Sequence, residues 1–217
     1  MELKPILVQF HVIMNNVLFP INDQNLIPEL AKSGYQPAHP GNIIKNQLVI
    51  QQGDIAVKNN TVLTTNSQSK MIQLSGLTPQ EVYETWKEIE NILLNQNINI
   101  KTTGRLFELK SEYIVKTGKN PLKSFRRVFN NVKLEEKFNH IITGKPSTLV
   151  SLRFMPQDGV VDTEDFYDIK IEPVLRNQKS EYFIQILYRN KKQEITEKIL
   201  LKLEEKIKEI ITLIDSQ

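Results

Sequence analysis

The sequence predicts an α+β protein of two similar halves, each an antiparallel sheet covered by amphipathic helices. Three observations carry that expectation. Apolar residues recur with the two-residue period of half-buried strands in several short runs; those runs give way to the longer period of a helix; and this order occurs once in each half of the chain. A ferredoxin-like arrangement and a duplication both fit the order, although no residue-level repeat selects either.

The first strand is expected over residues 6–14, ILVQFHVIM. There Ile6, Val8, Phe10, Val12 and Met14 form a wholly apolar face, and Leu7, Gln9, His11 and Ile13 a mixed one. A short helix over 24–33 follows, with Pro28 tolerated in its first turn, and the Gly and Pro content of residues 34–42 marks a loop. Strands over 47–57 and 61–74 flank Asn59-Asn60, a pair that accepts positive φ and suits a tight hairpin. The helix over 78–95 has the fullest signal in this half. Thr78 can cap it, Pro79 suits its first position, Glu81 completes a capping box, and Val82, Trp86, Ile89 and Leu93 recur at helical spacing. Trp86 is therefore a core residue. Residues 105–115 return as a strand.

In the second half, strands are expected over 147–155, 166–175 and 181–189. A long helix over 192–214 follows, carrying Ile199, Leu203, Ile207, Ile210 and Ile214 on one stripe. Its breadth suggests a homodimer as one way to cover it. The expected division is an N-terminal α+β half over 1–118, a basic connector helix and loop over 119–145, and a β-β-β-α half over 146–217.

Bulk properties narrow the function classes. Cysteine is absent from the 217 residues, which removes disulfides, thiolate nucleophiles and thiolate metal sites together. The three histidines, His11, His39 and His140, are far apart, so a histidine-based metal site would need distant segments. No cofactor is expected: TGKPST at 143–148 has Asn139 and Pro146 where a phosphate loop needs glycine and a hydroxyl residue, and no dinucleotide-binding glycine run occurs. No apolar run is long enough to span a membrane and no secretory cleavage pattern opens the chain, so a cytoplasmic protein is expected.

The net charge of +3 is uneven. Residues 1–100 have a net charge of −2, residues 101–145 of +7 and residues 146–217 of −2. The positive excess includes NPLKSFRRVFNN, residues 120–131, where Asn120 can cap, Pro121 can open a helix, and Leu122, Phe125, Val128, Phe129 and Val132 share one side. The other side gathers Lys123, Arg126, Arg127, Asn130 and Lys133, a face suited to an anion or to the phosphates of nucleic acid. An ordinary amphipathic connector explains the same pattern. The cluster of Asp158, Asp162, Glu164, Asp165 and Asp168 lacks the spacing of a calcium loop and reads as an acidic hairpin.

His11 shares its face with Gln9, while Arg153 and Arg189 lie on comparably mixed faces beside Ser151, Phe183, Gln185 and Leu187. If the sheets leave a face uncovered, these groups line a ligand or subunit surface. The expected function is non-enzymatic binding or protein interaction, with no catalytic residue assigned. The alternatives are sequence-independent nucleic-acid binding through the basic helix at 120–133 and an enzyme whose site is assembled from distant residues.

Overall fold

The molecule is built around strand β1 (Glu2–Met14), whose apolar face is buried at Val8, Phe10, Val12 and Met14 while Gln9 and Ile13 stay half-exposed. The structure is a computed structural model and describes residues 1–15, 26–38, 53–66, 68–129, 150–157 and 164–216. Helix α1 (Leu26–Lys32) leads to the edge strand β2 (Gln36–Pro37), and β3 (Gly53–Lys58) and β4 (Thr61–Asn66) meet in the expected hairpin. Asn59 takes φ of +53° there, and Lys58 pairs directly with Thr61.

The single strand expected over 61–74 is two strands, β4 and β5 (Met71–Gly76). The chain turns where the sequence is polar. Asn66 Oδ1 accepts from the Ser69 N–H at 3.0 Å, and Lys70 adopts φ of +54°, which ends one run of alternation and starts the next. Helix α2 (Pro79–Asn95) begins as expected, with the Thr78 hydroxyl accepting from the Glu81 N–H at 3.2 Å and donating to Glu81 Oε2 at 2.9 Å. The short α3 (Ile100–Thr103) then feeds β6 (Gly104–Lys116).

After β6 come α4 (Pro121–Phe129), β7 (Leu152–Phe154), β8 (Phe166–Pro173) and β9 (Glu181–Asn190). The long terminal helix divides into α5 (Gln193–Leu201) and α6 (Leu203–Ser216). The Lys202 N–H is shared between Lys198 O and Ile199 O, both at 3.2 Å, so the turn tightens there without Pro or Gly. Of the stripe that suggested a dimer, Leu203 and Ile207 are fully buried, Ile214 is nearly so, and Ile199 and Ile210 are half-buried against the core.

All described strands join one nine-stranded sheet in the order β2-β3-β4-β5-β1-β6-β9-β8-β7, antiparallel at every pairing. The strands expected as separate sheets meet at the long β1–β6 pairing, which joins the N-terminal and C-terminal groups.

The described helices pack on one face of this sheet. Phe10 and Trp86 rings lie 5.1 Å apart, which seats α2 on β1, and the Phe125 ring meets Tyr182 edge-on at 5.8 Å, which seats α4 on β9. Gly76 has no side chain where a Cβ would come within 2.9 Å of Val82 Cγ2, and this lets α2 lie close against β5. Thr196 Oγ1 donates to Phe107 O at 3.4 Å and holds α5 over β6. Each fully buried Leu, Ile, Val or Phe of this layer contributes about 1.5–3 kcal/mol. Among the described residues, no helix is long and apolar enough to cross a membrane.

Candidate functional site

Strand alternation places a second set of residues on the sheet's other face, where no described helix packs. The pairing fixes their neighbours. His11 lies across from Gln73 of β5 on one side and from Glu108 of β6 on the other; Glu108 in turn lies across from Arg189 of β9. These side chains form one connected cluster. Glu108 Oε1 accepts from His11 Nδ1 at 3.1 Å, and Glu108 Oε2 accepts from Arg189 Nε at 3.0 Å and from a terminal nitrogen of the same guanidinium at 2.7 Å. Phe166, the cross-strand partner of Arg189, is itself buried.

Burial alone raises the pKa of Glu108, but hydrogen bonds from His11 and Arg189 and their charges outweigh it. Its carboxyl is held below the usual value. Glu108 is thus an ionised acceptor, and the Nδ1 of His11 must be the donor between them.

The rest of the face is tied together in the same way. Gln9 Nε2 and Gln73 Nε2 both donate to Ser75 Oγ, at 3.1 and 2.9 Å. Gln185 Nε2 donates to Glu112 Oε1 at 2.9 Å, with Lys110 Nζ 3.8 Å from the same oxygen. Toward the β7 edge, Arg153 grips Asp168 with two nitrogens at 2.9 and 2.7 Å, and Lys170 pairs with Glu172 at 2.9 Å. Arg189, Lys110, Arg153 and Lys170 thus each meet a carboxylate of the same face. A polyanion laid across these pairs would face their carboxylates too, which weakens its hold on the paired cations.

The basic face expected on the connector lies elsewhere, on α4. Asn120 Oδ1 accepts from the N–H groups of Leu122 and Lys123 at 3.0 and 3.3 Å, as its capping role requires. Lys123, Arg126 and Arg127 are exposed, while Asn130 and Lys133 lie outside the described residues. The buried side differs in part from the expected stripe: Phe125 and Ser124 are fully buried, but Val128 is 37% exposed. Ser124 explains the difference. Its hydroxyl donates to Asp215 Oδ1 at 2.9 Å, and that oxygen also accepts from the Tyr182 hydroxyl at 2.5 Å, so a polar latch rather than a methyl contact fixes α4 against α6. Burial, then the bond to Asp215, pushes the Tyr182 hydroxyl up.

Other sequence candidates resolve more simply. Trp86 is core, as expected, and its Nε1 donates to Glu197 Oε1 at 3.1 Å. In the acidic cluster, Asp168 is taken by Arg153 and Glu164 by Lys191, while Asp158 and Asp162 lie outside the described residues, as do TGKPST, His39 and His140. Among the described residues no group of His, Asp and Glu is arranged to hold a metal ion. An apolar gap between α1 and α2, lined by Leu26, Leu30, Leu63 and Ile89, is about the size of one water molecule.

Sequence reasoning grouped His11 with Gln9 and Arg189 with Gln185, but did not supply Glu108. A signal for it exists in β6, where Glu108, Lys110 and Glu112 alternate with the buried Phe107, Leu109, Ser111 and Tyr113. The register that puts Glu108 beside His11 is set by pairing between strands 97 positions apart.

No family model matches the chain, and no curated protein does. Among solved structures, the chain is similar to Methanococcus jannaschii TBP at 12% identity and a TM-score of 0.31, over 96% of this chain and 99% of that one. A likeness of that size carries no argument.

Proposed function

We propose that this is a non-enzymatic binding protein whose working surface is the sheet face on which no described helix packs. One observation carries the reading: polar and ionic side chains at the centre of that face are fixed to one another across β5, β1, β6 and β9. Groups held in this way lose little further freedom when a ligand arrives. Their balanced charge favours a neutral ligand or a partner of mixed charge. A second copy of the chain is one such partner, and the cytoplasm is the proposed location. The test is a titration of the labelled protein with neutral and charged small molecules, reading which backbone amides move; the reading expects movement at Gln73, Glu108 and Leu187.

A second reading, sequence-independent nucleic-acid binding, is favoured by the exposure of Lys123, Arg126 and Arg127 on α4. Binding of random-sequence DNA and RNA over a salt series tests it. Loss of all three cations in a Lys123→Glu, Arg126→Glu, Arg127→Glu variant flattens the salt slope by about three units, near one per phosphate contact. An enzyme assembled from distant residues has one supporting observation, the carboxylate of Glu108 orienting the His11 ring.

The two-half organisation belongs to this proposal. Outward from the β1–β6 pairing, strands run β5-β4-β3-β2 on one side and β9-β8-β7 on the other. Each side also runs strand, helix, strands, helix along the chain. This mirrored order supports a junction just before β6, near residue 104, in place of the sequence-based one at 118.

A further inference from the structure

We infer that this sheet face, on which no described helix packs, carries a subsite for an uncharged, donor-rich ligand, of the polyol or amide class, centred on His11 Nε2. The inference rests on the proposed binding role of that face. His11 is 7% exposed, and its Nε2 is buried without a hydrogen-bond partner. Leaving such an atom unpaired is unfavourable, and native interiors rarely do so.

The neighbours define what would satisfy it. With Nδ1 committed to Glu108, an unprotonated imidazole would present its lone pair at Nε2. Directly across on β5, Gln73 spends an amide N–H on Ser75 Oγ, and so does Gln9, two residues from His11 on the same face. Both amides thereby keep their oxygens as acceptors. Three acceptors, His11 Nε2, Gln9 Oε1 and Gln73 Oε1, belong to one patch of adjacent strand positions. A ligand offering several O–H or N–H groups matches them. The neighbouring charges cancel, Glu108 against Arg189 and Lys110 against Glu112, so the patch gives no advantage to an anion or a cation.

The test uses the full chain labelled with 15N and reads the imidazole nitrogens, with the three histidines assigned by substitution. The neutral probes are myo-inositol, glucose and acetamide; the charged comparisons are acetate, inorganic phosphate and ethylammonium. At least one neutral probe shifts His11 Nε2 saturably together with the Gln73 amide. His11→Asn keeps a side-chain donor for Glu108 but has no atom at Nε2; it leaves the melting temperature nearly unchanged and weakens the same probe about tenfold. Gln73→Leu weakens it in the same direction, so the result does not depend on one variant folding. The inference fails if no neutral probe moves Nε2, if His11→Asn binds as tightly as the native chain, or if the charged compounds bind best. It also fails if Nε2 holds solvent that no probe displaces. Movement of Leu187 without His11 removes the subsite and leaves the wider binding role standing. Movement confined to α4 removes both.

Discussion

The two faces of the sheet are made from the same strands and differ in what each residue faces. On the helix-covered face, Val8, Phe10, Val12, Leu109, Tyr113 and Ile184 are buried against helices, and the stabilising term is removal of apolar surface from water. On the other face, Gln9, His11, Glu108, Gln185 and Arg189 meet one another, and each contact offsets a desolvation that the strand itself imposes. The first face can tolerate no gap, and a slip of one residue would turn its apolar row outward. The second also depends on register, because a slip of one residue would separate every hydrogen-bonded pair.

The largest expected effect is on the covered face. Trp86→Ala removes a fully buried ring and its bond to Glu197 and lowers stability by about 4 kcal/mol, read by equilibrium denaturation. Leu187→Ala, on the other face, costs under about 1 kcal/mol; equal losses at the two positions would break the comparison.

Next is Glu108→Gln, which removes the charged acceptor shared by His11 and Arg189 and costs about 2–3 kcal/mol at neutral pH. The sign with pH follows from the lowered carboxyl. Its stabilising contribution is complete above the ordinary value of 4.5 and is lost as pH falls through the lowered native value. The gap between Glu108→Gln and the native chain therefore closes on acidification below that range, and a gap that widens there would contradict the assignment.

Smaller is Thr78→Ala, which deletes the cap of the helix lying over β1 and β5 and costs about 1 kcal/mol. Smallest is Asp168→Asn. It breaks the paired guanidinium at the solvent-exposed rim, and thermal denaturation should show no measurable change.

The covered face was largely legible in the sequence because its signals are local. Capping residues Thr78 and Asn120, the Val82–Trp86–Ile89–Leu93 stripe and the apolar alternation of β1 each lie within a few positions of chain. Two local signals were misread. The polar run at 66–70 hid a turn whose conformation depends on Lys70 entering a region rare for its type, and the break at Lys202 has no Pro or Gly to announce it. The other face was legible only as a set of mixed residues. That His11 and Gln9 share a face follows from alternation, whereas the partnership of His11 with Glu108 and of Ser124 with Asp215 depends on which distant elements meet. The same holds for the single sheet, since nothing in either strand alone announces the β1–β6 pairing.

The central claim is that one face holds the protein together while the other binds. Its most direct test is an amide shift map of the full chain, titrated in parallel with a set of neutral small molecules and with a random-sequence oligonucleotide. The account predicts saturable shifts at Gln73, Glu108 and Leu187 with the neutral set, and none at Lys123, Arg126 and Arg127. Shifts confined to those three α4 residues on adding the oligonucleotide, with the sheet face silent throughout, would contradict it.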